Sequence, residues 1–364
     1  MTELLVSTKK GLFVLEGEPG AGYELAARAF PGEPVEYALR DERNGRLLAT
    51  TTSPFYGPKI FYTQDPGSEW EQAAGVSLPE GGDEALTRIW VITPGAAEGS
   101  LYAGGDPGVL FQSADGGSSW ELNAGLWEHP TRKSWQPGGG GLCLHSIAPW
   151  PGEPDKLSVA VSAAGVWHTD DGGQSWNRGN QGLTPRYLPP EVIEELNLPE
   201  PPPGADTALC VHHLERSPAR PERMFIQFHG GVYRSDDAGS SWGEIGAGLP
   251  SDFGFPLTLD PSDPDSAYVI PLVADMDRVT PDGRVRVYET RDAGASWAPR
   301  GDGLPQEHAY LTVLRQALTR RGQGESLEIY FGTTTGEVYG SGDAGATWFE
   351  VTSKLPPVYA VSAS

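Results

Sequence analysis

The sequence predicts an all-β chain folded as a seven-bladed β-propeller. Three observations carry that expectation: an eight-residue motif present six times, a regular interval between its copies, and β-rich runs ahead of each copy. The motif has the spacing Ser/Thr-x-Asp-x-Gly-x-x-Trp. It occurs as TQDPGSEW from Thr63, SADGGSSW from Ser113, TDDGGQSW from Thr169, SDDAGSSW from Ser235, TRDAGASW from Thr290 and SGDAGATW from Ser341. Its aspartates, Asp65, Asp115, Asp171, Asp237, Asp292 and Asp343, lie 50, 56, 66, 55 and 51 residues apart, enough for a four-stranded blade and its loops.

Each motif position has a task in a tight β-turn. The hydroxyl and carboxylate bond nearby backbone groups, glycine takes a conformation that a Cβ opposes, and tryptophan buries a large ring between sheets. The six aspartates are therefore expected to form turns rather than act as catalytic acids.

Ahead of the motifs run strands with a leading glycine, GVLFQS, GVWHTD, GVYRSD and GEVYGS, preceded by runs such as SLYAGG and KLSVAVSAAG. The same signature opens the chain. LLVSTKKGLFVLEG followed by Tyr23-Glu24-Leu25 reads as strands two to four of a blade whose motif has decayed, with Tyr23 near the tryptophan position. That blade lacks a first strand, whereas PPVYAVSAS follows the last motif. Placing 358–362 as the inner strand of the N-terminal blade closes the ring and removes an exposed sheet edge.

The remaining innermost strands are expected near 35–39, 86–92, 142–148, 208–214, 255–259 and 309–314. One short helix, 190–196, is expected within a long loop. The whole chain, 1–364, is read as a single propeller domain with long upper-face loops at 123–141 and 177–207.

Composition bounds the partners. Gly (48) and Pro (33) recur beside tryptophan and alternating apolar runs, as turn chemistry rather than disorder. The formal charge is −23 without a basic stripe, so no nucleic-acid partner is expected. No stretch approaches the roughly 20 apolar residues of a membrane span, so no membrane partner is expected either. Strand-like sequence starts at Leu4, which leaves no room for a signal peptide, and two cysteines, Cys143 and Cys210, are too few for a disulfide framework. A soluble, cytoplasmic protein is the expectation.

The motif resembles the Asp-box, or bacterial neuraminidase repeat, and the resemblance covers nearly the whole chain. It implies that each box joins the third and fourth strands of a blade, on the side away from the ligand face. The arrangement is similar to that of bacterial single-domain proteins labelled exo-sialidase or glycosyl hydrolase. Other Asp-box propellers include xyloglucan-cleaving glycosidases with two propellers, larger disulfide-bearing sortilin-type receptors and a photosystem assembly factor. Sialidases place their first arginine in a Phe/Tyr-Arg-Ile-Pro motif ahead of the first box and have six blades. The nearest match, Thr87-Arg88-Ile89-Trp90, lacks the aromatic and the proline and follows a box, so sialidase activity is not expected.

If boxes mark the lower turns, the turns between strands two and three and the links between blades lie on the upper face. Histidines gather there. GLCLHSI and ALCVHHL align as inner strands of adjacent blades, matching Cys143 with Cys210 and His145 with His212. His308 is expected to begin another inner strand, His229 to sit at a two-to-three turn and His129 in an upper loop, while His168 and His213 are assigned to structure.

Imidazoles converging with Glu36, Asp206 or Asp275 suit a divalent metal in the central channel, activating water for hydrolysis. The candidates are His145, His212 and His308 as metal ligands or acid/base groups, with Arg88 beside them. The bland alternative is an inner-strand histidine that hydrogen-bonds a neighbouring blade. The matched cysteines are expected to be buried apolar residues.

Trp90, Trp135, Tyr187, Tyr310, Arg315 and His229 are candidate contacts for a small organic or carbohydrate-like ligand, with Arg132, Lys133 and Arg186 nearby. Two functions follow: metal-assisted hydrolysis of a small organic substrate, or a non-catalytic scaffold that binds a ligand or a protein partner.

Overall fold

In the computed structural model, which describes residues 1–196, 198, 202 and 204–364, the chain forms seven four-stranded antiparallel sheets, the blades of a seven-bladed β-propeller. Blade 1 runs Val358–Ala363, Thr2–Thr8, Gly11–Glu18 and Gly22–Ala29. Blade 2 begins at Val35–Asp41, blade 3 at Arg88–Pro94, blade 4 at Leu144–Trp150, blade 5 at Val211–Arg216, blade 6 at Phe253–Asp260 and blade 7 at Leu318–Arg321. Two compact units are distinguishable. Residues 1–72 and 246–364 hold blades 1, 2, 6 and 7, and residues 73–245 hold blades 3, 4 and 5.

Blade anatomy follows from burial. Middle strands are covered on both faces, so Met224–Phe228, MFIQF, is buried throughout and shows no polar alternation. Fourth strands meet solvent and shrink to two residues in blades 2 to 5, which leaves little unpaired edge. Blades pack through apolar side chains. Ala160 and Val166 of blade 4 meet Leu214, Ile226 and Phe228 of blade 5, and Ile270 and Val287 of blade 6 meet Ile329 and Phe331 of blade 7.

The chain ends meet in blade 1 as expected. Leu4 pairs with Ala363, Leu5 with Ser362, Val6 with Val361 and Ser7 with Ala360. Leu4, Val6, Val358 and Val361 are buried together with Tyr330 and Val338 of blade 7. Tyr23 stands in for the missing tryptophan: its hydroxyl lies 2.6 Å from that of Tyr330, and its ring stacks on Phe349 at 6.4 Å.

The repeated motif forms the turn between third and fourth strands. In the second copy Ser113 Oγ donates to Asp115 Oδ1 at 2.8 Å and accepts from Gly117 N, while Ser119 binds the same carboxylate through its N–H and its hydroxyl. Asp171, Asp237, Asp292 and Asp343 repeat this pattern. The first copy departs from it. With Glu69 where the others have a short hydroxyl, Asp65 accepts instead from Gly67 N and Ser68 Oγ.

One inner strand is displaced from its expected place. Segment 309–314 is a loop, although Leu311, Val313 and Leu314 do pack into the core. Its backbone bonds leave the ladder, with Leu311 O accepting from Thr280 N and Thr312 O from Thr334 N, and the strand starts at Leu318. The helix Pro190–Leu196 forms where the sequence places it. A further turn of helix, Ala124–Trp127, is capped by Asn123, whose side chain accepts from Leu126 N at 2.9 Å.

Candidate functional site

Six of the seven inner strands share an irregularity. Blade 2 pairs Val35 with Thr51 and Tyr37 with Thr50, so Glu36 is an extra residue. The same slip makes Trp90, His145 and His212 extra in blades 3, 4 and 5, and Tyr359 in blade 1, while in blade 6 Phe255 and Pro256 oppose one residue. A bulge leaves its extra residue outside the ladder and re-aims the side chain, and such bulges concentrate beside functional sites. The sequence alignment of His145 with His212 had found two members of this set without the reason for it.

Two blades carry Cys-x-His at the bulge, and they use it differently. In blade 4 His145 is fully buried and both ring nitrogens are engaged, Nδ1 with Ser146 Oγ at 2.9 Å and Nε2 with Val211 O at 2.8 Å. That is the bland alternative, a histidine bridging to the next blade. In blade 5 Cys210, His212 and His229 converge, each offering a donor atom within 4.8 Å of the others. The rings of His212 and His229 stand 5.3 Å apart, and Tyr187 meets the edge of His229 at 4.9 Å while its hydroxyl donates to Ala208 O. Although about half of the side chain is exposed, desolvation raises the Tyr187 phenol, whose hydroxyl is engaged with Ala208 O, above its ordinary range.

The expected trio of His145, His212 and His308 is not what converges in blade 5. His308 is exposed, has a φ of 53° and lies in the link before blade 7, not at the start of a strand. His145 is engaged by Ser146 Oγ and Val211 O. Cys210 and His229 take their places beside His212. The sequence reading gives Cys210 to packing and His229 to ligand contact, and the signal that groups them is the hairpin that makes 210 and 229 neighbours.

Other candidates serve packing or stand apart. Arg88 lies over the Trp90 ring at 4.6 Å. Trp135 is buried against Trp167 with centroids 5.2 Å apart, so it offers no face to a ligand. Arg132 is buried, stacked on Trp127 at 3.8 Å and paired with Glu84. Arg186 pairs with Glu244. Arg315 and Arg278 both lie over Phe255, at 4.8 and 5.3 Å. Tyr310 is exposed and covers Gly283, where a Cβ would stand 3.1 Å from its ring.

Of the acids named beside the histidines, Asp206 is paired with Arg178 at 2.6 Å and Glu36 is buried at its bulge. Asp106, which the sequence did not suggest, holds its carboxyl above the usual range because burial outweighs the bonds it receives. His168 is structural as expected, bonded to Ser158 Oγ and Gly239 O, and burial lowers its pKa to about 4.

Among the described residues nine large apolar side chains are exposed, and seven lie on two-to-three turns or links between blades. Phe55 and Tyr56, 87% and 80% exposed, tip the turn of blade 2, and Val273 and Met276 that of blade 6; Tyr310 lies in a link. In the second unit Tyr187 and Leu198 occupy the link from blade 4 to blade 5. Within each antiparallel blade these connections lie at the edge opposite the aspartate turns.

No protein-family model matches the chain. The photosystem II assembly lipoprotein Ycf48 of Synechococcus sp. (strain CC9902) is 27% identical over 151 residues, 39% of this chain, and the chain spans 35% of that curated relative's length. Among solved structures, an ancestral GH74 enzyme is similar over 91% of this chain and 38% of its own, with a TM-score of 0.56 and 16% identity. Ycf48 from Cyanidioschyzon merolae is similar over 88% of this chain and 85% of its own, with a TM-score of 0.54 and 13% identity. These likenesses concern the propeller fold, which carries hydrolases and assembly factors alike.

Proposed function

We propose that the protein is a non-catalytic propeller scaffold that binds a protein partner through the edge opposite its aspartate turns. The carrying observation is the concentration of exposed large apolar side chains on the two-to-three turns and blade links. Phe55, Tyr56 and Met276 are 80% exposed or more, and burying a Phe or Met side chain against a partner is worth about 1.5–3 kcal/mol. The Synechococcus relative, named as an assembly protein, supports this reading. With a formal charge of −23, the protein attracts a neutral or basic partner surface rather than an acidic one.

The test compares tagged wild type with a Phe55→Ser/Tyr56→Ser/Met276→Ser variant expressed in the source cells. A stoichiometric protein that co-elutes with wild type and is lost from an equally stable variant is the expected result. Equal recovery of that protein by both would refute the assignment of the edge.

The convergence of Cys210, His212 and His229 favours a second reading, metal-assisted hydrolysis of a small organic substrate. A panel of esters, lactones, phosphoesters and glycosides, run with and without Zn²⁺, separates the two. Turnover abolished by His212→Ala would replace the scaffold reading, and a silent panel would leave it standing.

A further inference from the structure

We propose that Cys210, His212 and His229 form a binding site for a zinc-class divalent cation, whether or not the chain hydrolyses anything. The site is a product of one β-hairpin. Val211 pairs with Phe228, and His229 N donates to Cys210 O at 3.0 Å, so residues 210 and 229 face each other where the first two strands of blade 5 diverge. The bulge then supplies the third donor, because His212 is the residue that no ladder pair claims.

Ligand type and spacing fit the ion. One thiolate with two imidazoles is a soft-to-borderline set that suits Zn²⁺ or Co²⁺ and disfavours Mg²⁺ and Ca²⁺, which take oxygen. Zn–S near 2.3 Å and Zn–N near 2.0–2.1 Å put tetrahedral donors roughly 3.3–3.7 Å apart. The three donors already lie within 4.8 Å of one another, so closure takes side-chain rotations of about 1 Å. Three protein ligands leave a fourth position for water or an exogenous ligand.

Blade 4 is the molecule's own control. Cys143 and His145 occupy the same strand positions, and Ser162 N donates to Cys143 O at 2.8 Å as His229 N does to Cys210 O. The residue equivalent to His229 is thus Ser162, which gives no imidazole, and His145 is held by Ser146 and Val211. Only one of the two matching slots has three donors. His145 is a positioning residue for the other, since it bonds the carbonyl of Val211 between Cys210 and His212. Ser162 Oγ, 3.7 Å from Cys210 Sγ, stands beside the thiol.

The experiment titrates tag-free, metal-stripped full-length protein with Co²⁺ and Zn²⁺. One equivalent is expected, with a thiolate-to-cobalt charge-transfer band that Zn²⁺ displaces, and proton release on binding. Cys210→Ser should abolish the band, and Cys143→Ser should leave it intact. His229→Ser, which copies blade 4, should weaken binding by more than the roughly 10–100-fold that outer-shell changes cost, and His145→Ala should fall within that range.

Metal-free melting curves identify any variant that fails to fold; if Cys210→Ser does, His229→Ser, at a turn, decides the matter. No stoichiometric binding by wild type, binding indifferent to His229→Ser, or a band lost equally in Cys143→Ser would each overturn the proposal. Because no partner or substrate enters the titration, its outcome is independent of the scaffold reading.

Discussion

Deleting 357–364 tests how the propeller is held shut. The deletion removes a strand whose Val358, Ala360 and Val361 are at most 2% exposed. Burying the two valines is worth about 1.5–3 kcal/mol each. The strand also pairs with Thr2–Thr8 and adds bonds from Val358 N to Thr333 O and from Val361 N to Gln316 O, each net about 0.5–1.5 kcal/mol.

Together these exceed about 5 kcal/mol, within the 5–15 kcal/mol that stabilises a whole domain. Tyr330 and Val338 of blade 7 lose their cover as well. The truncated chain should therefore lose its cooperative transition in calorimetry or near-ultraviolet circular dichroism. A graded version is Val361→Ala, expected to cost about 2 kcal/mol and lower the melting temperature by roughly 4–8 °C in a unit of this size. A truncated protein that melts cooperatively at the wild-type temperature would refute the closure argument.

Hydrogen bonds from the Ser175 side chain and backbone and from Thr169 hold the Asp171 carboxyl at about 2, below an unfolded value near 3.9. Its contribution is present above about pH 4 and lost as pH falls toward 2, so acid melts should steepen there and Asp171→Asn should flatten that slope. His168 acts in the same direction at higher pH, remaining neutral in the fold down to about pH 4 against an unfolded value near 6.5. Its stabilisation is complete above pH 6.5 and falls by roughly 3 kcal/mol toward pH 4, and His168→Gln should remove that dependence in urea titrations. Gly303, at φ +85°, would put a Cβ 2.0 Å from Trp348 O; Gly303→Ala should lower the melting temperature measurably, and an unchanged melt would show that the backbone yields.

The fold was legible because its signals are local and repeated. Six aspartate turns announced the blades, and even the decayed repeat showed through Tyr23, which still reaches Tyr330. The displaced strand of blade 7 shows the limit: Leu311 and Val313 have strand-like alternation, and only the partners of their backbone groups, Thr280 and Thr334, reveal a loop. The candidate site was half legible. His212 was visible by alignment with His145, but a bulge leaves no mark in composition. Nor does sequence spacing reveal that His229, 19 positions after Cys210, shares a hydrogen bond with it.

The recurring slip in the inner strands gives this propeller a division of labour. Ladder positions carry the apolar side chains that keep the blades together, and changing them threatens the fold. The extra residue in each slip has no opposite number in the strand register, so its side chain is set apart from the alternation that the ladder imposes. Tyr359, Glu36, Trp90, His145 and His212 occupy corresponding places with four different residue types. Such positions are where new ligand chemistry can be installed one blade at a time, leaving the hydrogen-bonded frame as it stands.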